Sequence, residues 1–545
     1  MKKAPPELDT RIEPSASTGV GSSKPKRQLV LHPLLFAAFP VVYLWAHNVQ
    51  EGVTFGDIIW PLFLVVGVTA LLFAAGWLAL RRDAARVGLA LSVLVLLFFS
   101  YGYVYRALED VRIGGFRDDP VTGFLLSKNF DLLPVWAGLS GLGVWLSMRA
   151  RKRLSGWTQA MNYAAAGLVL INLATVGWSQ ARGVGQGSPL ARGSTPQSTL
   201  RSGTARPDIY YIVLEEYAGQ RALERFFGYD NSPFLDFLRH KGFYVPTSST
   251  VNYPRTSLSL TSSLNMNYLN AGTGRLSGEA STKSLLQDHA VGRYLKSIGY
   301  RQVQLGSWWQ PTAKNPNADI NISFGSISEF STVLYQTTPF YAIAQRFGLF
   351  SAKLDFRTTE YEREKFQFAK LAQARNIVRP KFVFAHIICP HEPYVFDANG
   401  RFLPEDAVQL GTIKKVYVDQ LSFVNKQLMA LVDKLLSGPR ASQPVILIQS
   451  DEGPYPGNPS QWPSQPSQNA LLQKFEILNA LYLPGSSYAQ LRPDITPVNE
   501  FRVVFREYFD PAFPLLPDQN FVFKDLQHLY QFTEVTDQVR QALGA

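Results

Sequence analysis

The chain has 545 residues, too many for one ordinary domain, and a formal net charge of +11. The charge is unevenly placed: residues 1–206 carry 21 Lys and Arg against 11 Asp and Glu, and the rest carries 32 against 31. The basicity therefore serves membrane topology, and a nucleic-acid partner is excluded. With Cys389 as its one cysteine, the chain cannot be a disulfide scaffold.

In chain order, a basic tail (1–28) precedes apolar runs at 29–49, 58–80, 87–105, 133–148 and 159–178. Each is about long enough to cross a bilayer as a helix, for which roughly 17–25 residues suffice. Trp45, Trp60, Trp77, Trp136 and Trp178 lie near the run ends, as interfacial aromatics do. Lys and Arg cluster in the tail, at 81–86 and at 149–153, whereas 107–132 is acidic on balance. The positive-inside rule then predicts a five-span domain over 29–179, with a cytoplasmic amino terminus and everything after the fifth span outside the cytoplasmic membrane. The Gly/Ser/Arg-rich stretch over 180–206 reads as a flexible linker.

From 207 to 545 the pattern changes. Strand-like runs at 208–214, 300–306, 381–388, 444–450 and 477–483 alternate with amphipathic stretches at 285–298 and 417–437. Such alternation predicts an α/β fold with helices on both faces of a mostly parallel sheet. In such sheets ligands gather at the carboxyl ends of the strands. Two strands end there on paired acids, Glu215-Glu216 and Asp451-Glu452, and carboxylates from distant parts of the chain make a better cation site than either pair alone. Between them, Thr256 follows Pro254-Arg255 at a helix start. There it serves either as a cap or as a hydroxyl nucleophile beside a metal. His391, between Pro390 and Glu392-Pro393 at another strand end, is a candidate substrate or phosphate contact, whereas His386, inside the strand, reads as a satisfied core residue. Trp308 and Trp309 follow a further strand, as packing or as a pocket wall.

Strand-Glu, a Thr at a helix start, Gly-Ser-x-Trp, His-x-Pro-Tyr and strand-Asp-x-Gly, in this order after the apolar runs, resemble the lipoteichoic acid synthase group of the sulfatase/alkaline phosphatase superfamily. The resemblance implies a sulfatase-like α/β sandwich over 207–545. It implies a divalent metal held by Glu215, Thr256, Asp451 and Glu452, with Thr256 as nucleophile and Trp309 and His391 as substrate contacts. Two residues depart from the pattern. Glu452 stands where the group has His, which favours Mn or Mg over Zn, and Pro311 stands where it has a phosphate-binding Arg. The Cys/Ser-x-Pro-x-Arg motif of sulfatases is missing around Thr256, and the single cysteine is unlike the disulfide-rich phosphoethanolamine transferases. The implied function is a membrane phosphotransferase. It would move a phospho-head group, phosphoglycerol by the resemblance, from a lipid donor to a glycolipid, glycan or other hydroxyl acceptor through a phospho-threonine. The alternatives are a hydrolase and a catalytically silent scaffold with the same fold.

Overall fold

The computed structural model describes residues 29–49, 53–81, 83–113, 129–150, 154–183, 206–270, 279–325, 327–347, 355–404, 407–408, 413–454, 462–463, 465–510 and 512–544. The basic tail, most of the 107–132 loop and nearly all of the linker lie outside them.

Five helices fill the amino-terminal part: α1 (His32–Asn48), α2 (Phe55–Ala79), α3 (Ala84–Ile113), α4 (Leu133–Arg149) and α5 (Leu154–Gly183). Three segments, Phe55–Ala79, Ala84–Leu108 and Gly156–Ser179, are long and apolar enough to cross a membrane. α1 and α4, at 17 residues each, stand at the lower limit of length, so the expected five spans have five helices but three clear spans. α5 continues to Gly183, into the segment expected to be linker. α1 is central, burying Phe36, Ala37, Val41 and Leu44, while α2 exposes Trp60, Leu64 and Leu71 as a lipid-facing helix should.

The sheet of the second part has strand order β3-β2-β4-β1-β5-β6. Its strands are β1 (Ile209–Glu215), β2 (Arg301–Leu305), β3 (Ile320–Ile322), β4 (Lys381–Pro390), β5 (Val445–Ser450) and β6 (Asn479–Tyr482). All neighbours run parallel except β5 and β6. The central strands β1, β4 and β5 are buried along their whole length, which explains their unbroken apolar runs. Helices α9 (Phe356–Gln373) and α10 (Ile413–Leu435) cover one face; α6 (Thr256–Asn265) and α12 (Pro497–Tyr508) cover the other. β3 and a small antiparallel pair, β7 (Phe521–Phe523) and β8 (Phe532–Glu534), have too few residues to show a pattern and were not expected.

The two parts touch. Two short helices, α7 (Glu329–Gln336) and α8 (Pro339–Phe347), lie against α2 and α3. Gln310 Nε2 donates to Asp57 Oδ1 at 2.6 Å near the start of α2, and Arg106 near the end of α3 donates to Gln336 Oε1 at 2.9 Å. Arg81 and Arg149 stand at the opposite ends of α2 and α4, about 35 Å away along α2 at 1.5 Å per residue.

Candidate metal centre and nucleophile

β1 and β5 pair in register from Ile209 with Val445 to Leu214 with Ser450. Both acidic pairs therefore leave the sheet at the same edge. The Glu216 N–H donates to Asp451 Oδ1 at 3.0 Å and that of Asp451 to the Leu214 carbonyl at 3.2 Å, so the two strand ends hold each other. Glu216 adopts a left-handed backbone, φ 55°, a costly conformation for a residue with a Cβ. That twist sends its side chain away from that of Glu215.

β4 flanks β1 on the other side and sets His386 opposite Val213. His386 is fully buried with both ring nitrogens bonded, as a core histidine should be, but its Nε2 meets Glu215 Oε2 at 2.6 Å. Its Nδ1 meets Thr312 Oγ1 at 3.0 Å, and Gln367 Nε2 braces its backbone carbonyl at 2.9 Å. The expectation of a satisfied buried histidine holds, and the partner that satisfies it is an acid of this edge.

Thr256 is the first residue of α6, and neither it nor Arg255 makes a capping bond. Its hydroxyl donates to Glu215 Oε1 at 2.8 Å and lies 3.4 Å from Glu452 Oε1. The capping alternative therefore falls away, and α6 directs its free first-turn N–H groups toward the same edge. The neighbouring Ser257 is buried, with no partner for its hydroxyl.

The two acids of each pair have different surroundings. Glu215, His386 and Asp451 each offer a ligand atom within 4.8 Å of the others. Glu216 and Glu452 instead converge on Lys474 Nζ, at 3.1 and 3.2 Å. Lys474 is fully buried on α11 (Gln468–Phe475). Gly453 makes this approach possible: its N–H donates to the Lys474 carbonyl at 2.9 Å, and a Cβ there would lie 2.1 Å from the Gln473 carbonyl oxygen. Nothing in the sequence of α11 marks Lys474 as buried, and it was missed.

The residues present fit a divalent cation. Asp451 Oδ2 and Glu452 Oε2 are buried without hydrogen-bond partners, an arrangement that costs about 1–3 kcal/mol for a neutral group and more for a charge. Burial, then Glu215 and Glu452, pushes the Asp451 carboxyl well above its ordinary range. Burial also raises Glu452, where Glu216 and Glu215 add to the effect and Lys474 opposes it. Glu215 is lowered despite burial, through the hydrogen bond and charge of His386. A dication among these groups would satisfy the orphaned oxygens and allow every carboxylate to ionise. The group that the structure brings together includes the His386 imidazole, a ligand that suits Zn as well as Mn.

His391 is half-buried at the end of β4, its Nδ1 2.5 Å from the Glu392 carbonyl. Burial works against its charge, but Glu216 and Glu215 outweigh it and raise the imidazole above its ordinary value of 6.5. Trp309 stands edge-on to His386, with ring centroids 5.7 Å apart. Pro311 starts the turn that delivers Thr312 to His386.

Residues 207–498 match the sulfatase family, and the chain belongs to that family as a member with apolar helices of membrane-spanning length. Among solved structures it is similar to the C-terminal periplasmic domain of EcEptC from Escherichia coli, with 12% identity and a TM-score of 0.41, over 63% of this chain and 96% of that one. It is also similar to the integral membrane lipooligosaccharide phosphoethanolamine transferase A from Neisseria meningitidis, with 12% identity and a TM-score of 0.38, over 88% and 95%. No curated protein matches the sequence.

Proposed function

We propose that this protein is a membrane-anchored, metal-dependent phosphotransferase. It moves a phospho-head group, phosphoglycerol first among the candidates, from a lipid donor to a hydroxyl of a glycolipid, glycan or similar acceptor. The observation that carries the reading is the Thr256 hydroxyl, 2.8 Å from Glu215 and next to the Glu215–His386–Asp451 group. The proposed orientation, with the site outside the cytoplasmic membrane, is supported by the basic residues at the helix ends remote from the catalytic part.

In this mechanism Thr256 Oγ1 attacks the donor phosphorus with an oxygen lone pair, and its proton passes to Glu215 Oε1, which already accepts its hydrogen bond. A divalent ion would be held by Glu215, His386 and Asp451, with Thr256 and Glu452 beside them, and would lower the hydroxyl pKa and offset phosphate charge. The first-turn N–H groups of α6 hold phosphate oxygens. The bond from phosphorus to the diacylglycerol oxygen breaks as the Thr256 bond forms. His391, kept protonated by Glu216 and Glu215, gives its proton to the leaving oxygen. An acceptor hydroxyl then attacks the phosphorus and gives its proton to His391, while the bond from phosphorus to Thr256 breaks and Glu215 returns the proton to Thr256 Oγ1. With water as acceptor the same residues make a phosphodiesterase.

The test uses the full chain in detergent with phosphatidylglycerol and no acceptor. A phospho-head-group adduct is expected on the peptide containing Thr256, absent in Thr256→Ala and present in Ser257→Ala. Normal turnover by Thr256→Ala would contradict the assignment.

A further inference from the structure

A laterally open cavity of about 970 Å³ lies between α2, α3 and α4 on one side and α7 and α8 on the other. It stands at the top of the usual range for small-molecule sites, about 300–1,000 Å³. Leu64, Val68, Leu94, Phe98, Leu334 and Ile343 give it an almost wholly apolar wall. A gap between membrane helices is common, but this one has a roof supplied by the catalytic part, and the roof is fixed. The Gly102 N–H donates to the Thr337 carbonyl at 2.9 Å, and a Cβ at Gly102 would lie 2.3 Å from the Gln336 carbonyl oxygen, so α3 needs glycine there to meet the α7–α8 turn. Phe98 packs edge-on against Phe340 at 5.0 Å.

The roof also leads to the catalytic edge. α7 turns Ser331, Leu334 and Tyr335 to the large cavity. Its Glu329, Phe330 and Val333 line a smaller cavity of about 290 Å³ that it shares with Asp57, Trp309 and Gln310. Glu329 Oε2 accepts the Gln310 N–H at 3.1 Å, and Trp309 rests on His386, the partner of Glu215. One helix thus separates an apolar groove open to lipid from a smaller cavity with Asp57, Gln310 and Glu329 in its wall, which reaches Trp309, the ring neighbour of His386.

We infer that this groove is an acyl-chain subsite: it seats a chain of the glycerophospholipid donor and so fixes the head-group phosphate beyond α7, toward Trp309 and Thr256. This rests on the phosphotransfer reading for the identity of the lipid. A donor is the occupant because the phosphorus that Thr256 attacks must be placed before any acceptor arrives. Apolar contact along a chain, at about 0.8 kcal/mol per buried CH₂, gives binding energy remote from the reacting centre.

The test is photolabelling of the full chain in detergent micelles with phosphatidylglycerol carrying a diazirine at the end of one acyl chain. Label is expected mainly on peptides spanning Leu64–Val68, Leu94–Phe98 and Phe340–Ile343. Leu94→Trp and Ile343→Trp, which fill the groove from opposite walls, should each cut that labelling at least five-fold. Ile171→Trp, on the exposed surface of α5, which contributes no wall to the groove, should not. Equal labelling of outer and groove faces, or wild-type labelling in both filled variants that elute as folded protein, would overturn the inference. The readout needs no turnover: a labelled groove with no Thr256 adduct would sink the phosphotransfer reading alone, and an adduct with an unlabelled groove would sink only the subsite.

Discussion

Glu215 and Asp451 share an edge and a charge with their immediate neighbours Glu216 and Glu452 but not a counter-ion. Of the first two, Glu215 meets His386 and Thr256, and Asp451 keeps a bare oxygen, as Glu452 does. The second two close on a buried lysine. In the proposed reading Lys474 offsets part of the charge of this edge, and a divalent ion from outside offsets the rest. That division is what separates a site able to hold one dication from a cluster of repelling carboxylates.

The largest expected effect is on turnover. Thr256→Ala removes the proposed nucleophile and should lower the rate by at least about 10³-fold in a lipid-donor assay, with metal content only partly reduced. Equal loss of both would mean that Thr256 acts chiefly as a ligand.

Lys474→Met probes the share that Lys474 offsets. It leaves the buried Glu452 and the partly buried Glu216 without their cation, and breaking a buried pair in this way costs about 3–5 kcal/mol. Denaturant unfolding should show a loss of that order, and Glu452→Gln added to Lys474→Met should recover part of it. If Lys474→Met is as stable as wild type, the division of the edge is wrong.

The metal-free protein should respond to pH in a definite sense. Asp451 and Glu452 have raised folded pKa values, so the native state holds protons that the unfolded chain has released. Stability should then fall as pH rises from the ordinary carboxylate range toward the raised values. Glu215, lowered, acts oppositely, adding stability above its ordinary value that is lost on acidification. Thermal melts of chelated protein from pH 4 to 8 should show the fall, and a saturating divalent ion should abolish it. A smaller effect is expected at His391. Its raised pKa contributes stability present below 6.5 and lost as pH passes the folded value, so the deficit of His391→Gln should shrink with rising pH.

Much of this edge was legible in the sequence. β1 and β5 were readable because strands buried on both faces have continuous apolar runs, and Glu215, Thr256 and Asp451 were readable because each stands where such a run or a helix begins or ends. His386 was readable as a satisfied buried residue, but that its partner is an acid of the edge was not, because that partner is 171 residues away. Lys474 was invisible for a related reason. On a short helix it looks like any solvated lysine until the Gly453 turn packs against it. The α7–α8 segment carries helical apolar spacing but no motif, so only contact with α2 and α3 gives it meaning.

The most direct measurement of the central claim is the divalent metal content of the purified full chain and of three variants. One ion per chain is expected in the wild type. Asp451→Asn and His386→Gln should each lose it, and Glu452→Gln, which leaves an oxygen but no charge beside Lys474, should weaken it. Metal retained in both Asp451→Asn and His386→Gln would contradict the account, because the cation would then sit away from the Glu215–His386–Asp451 group.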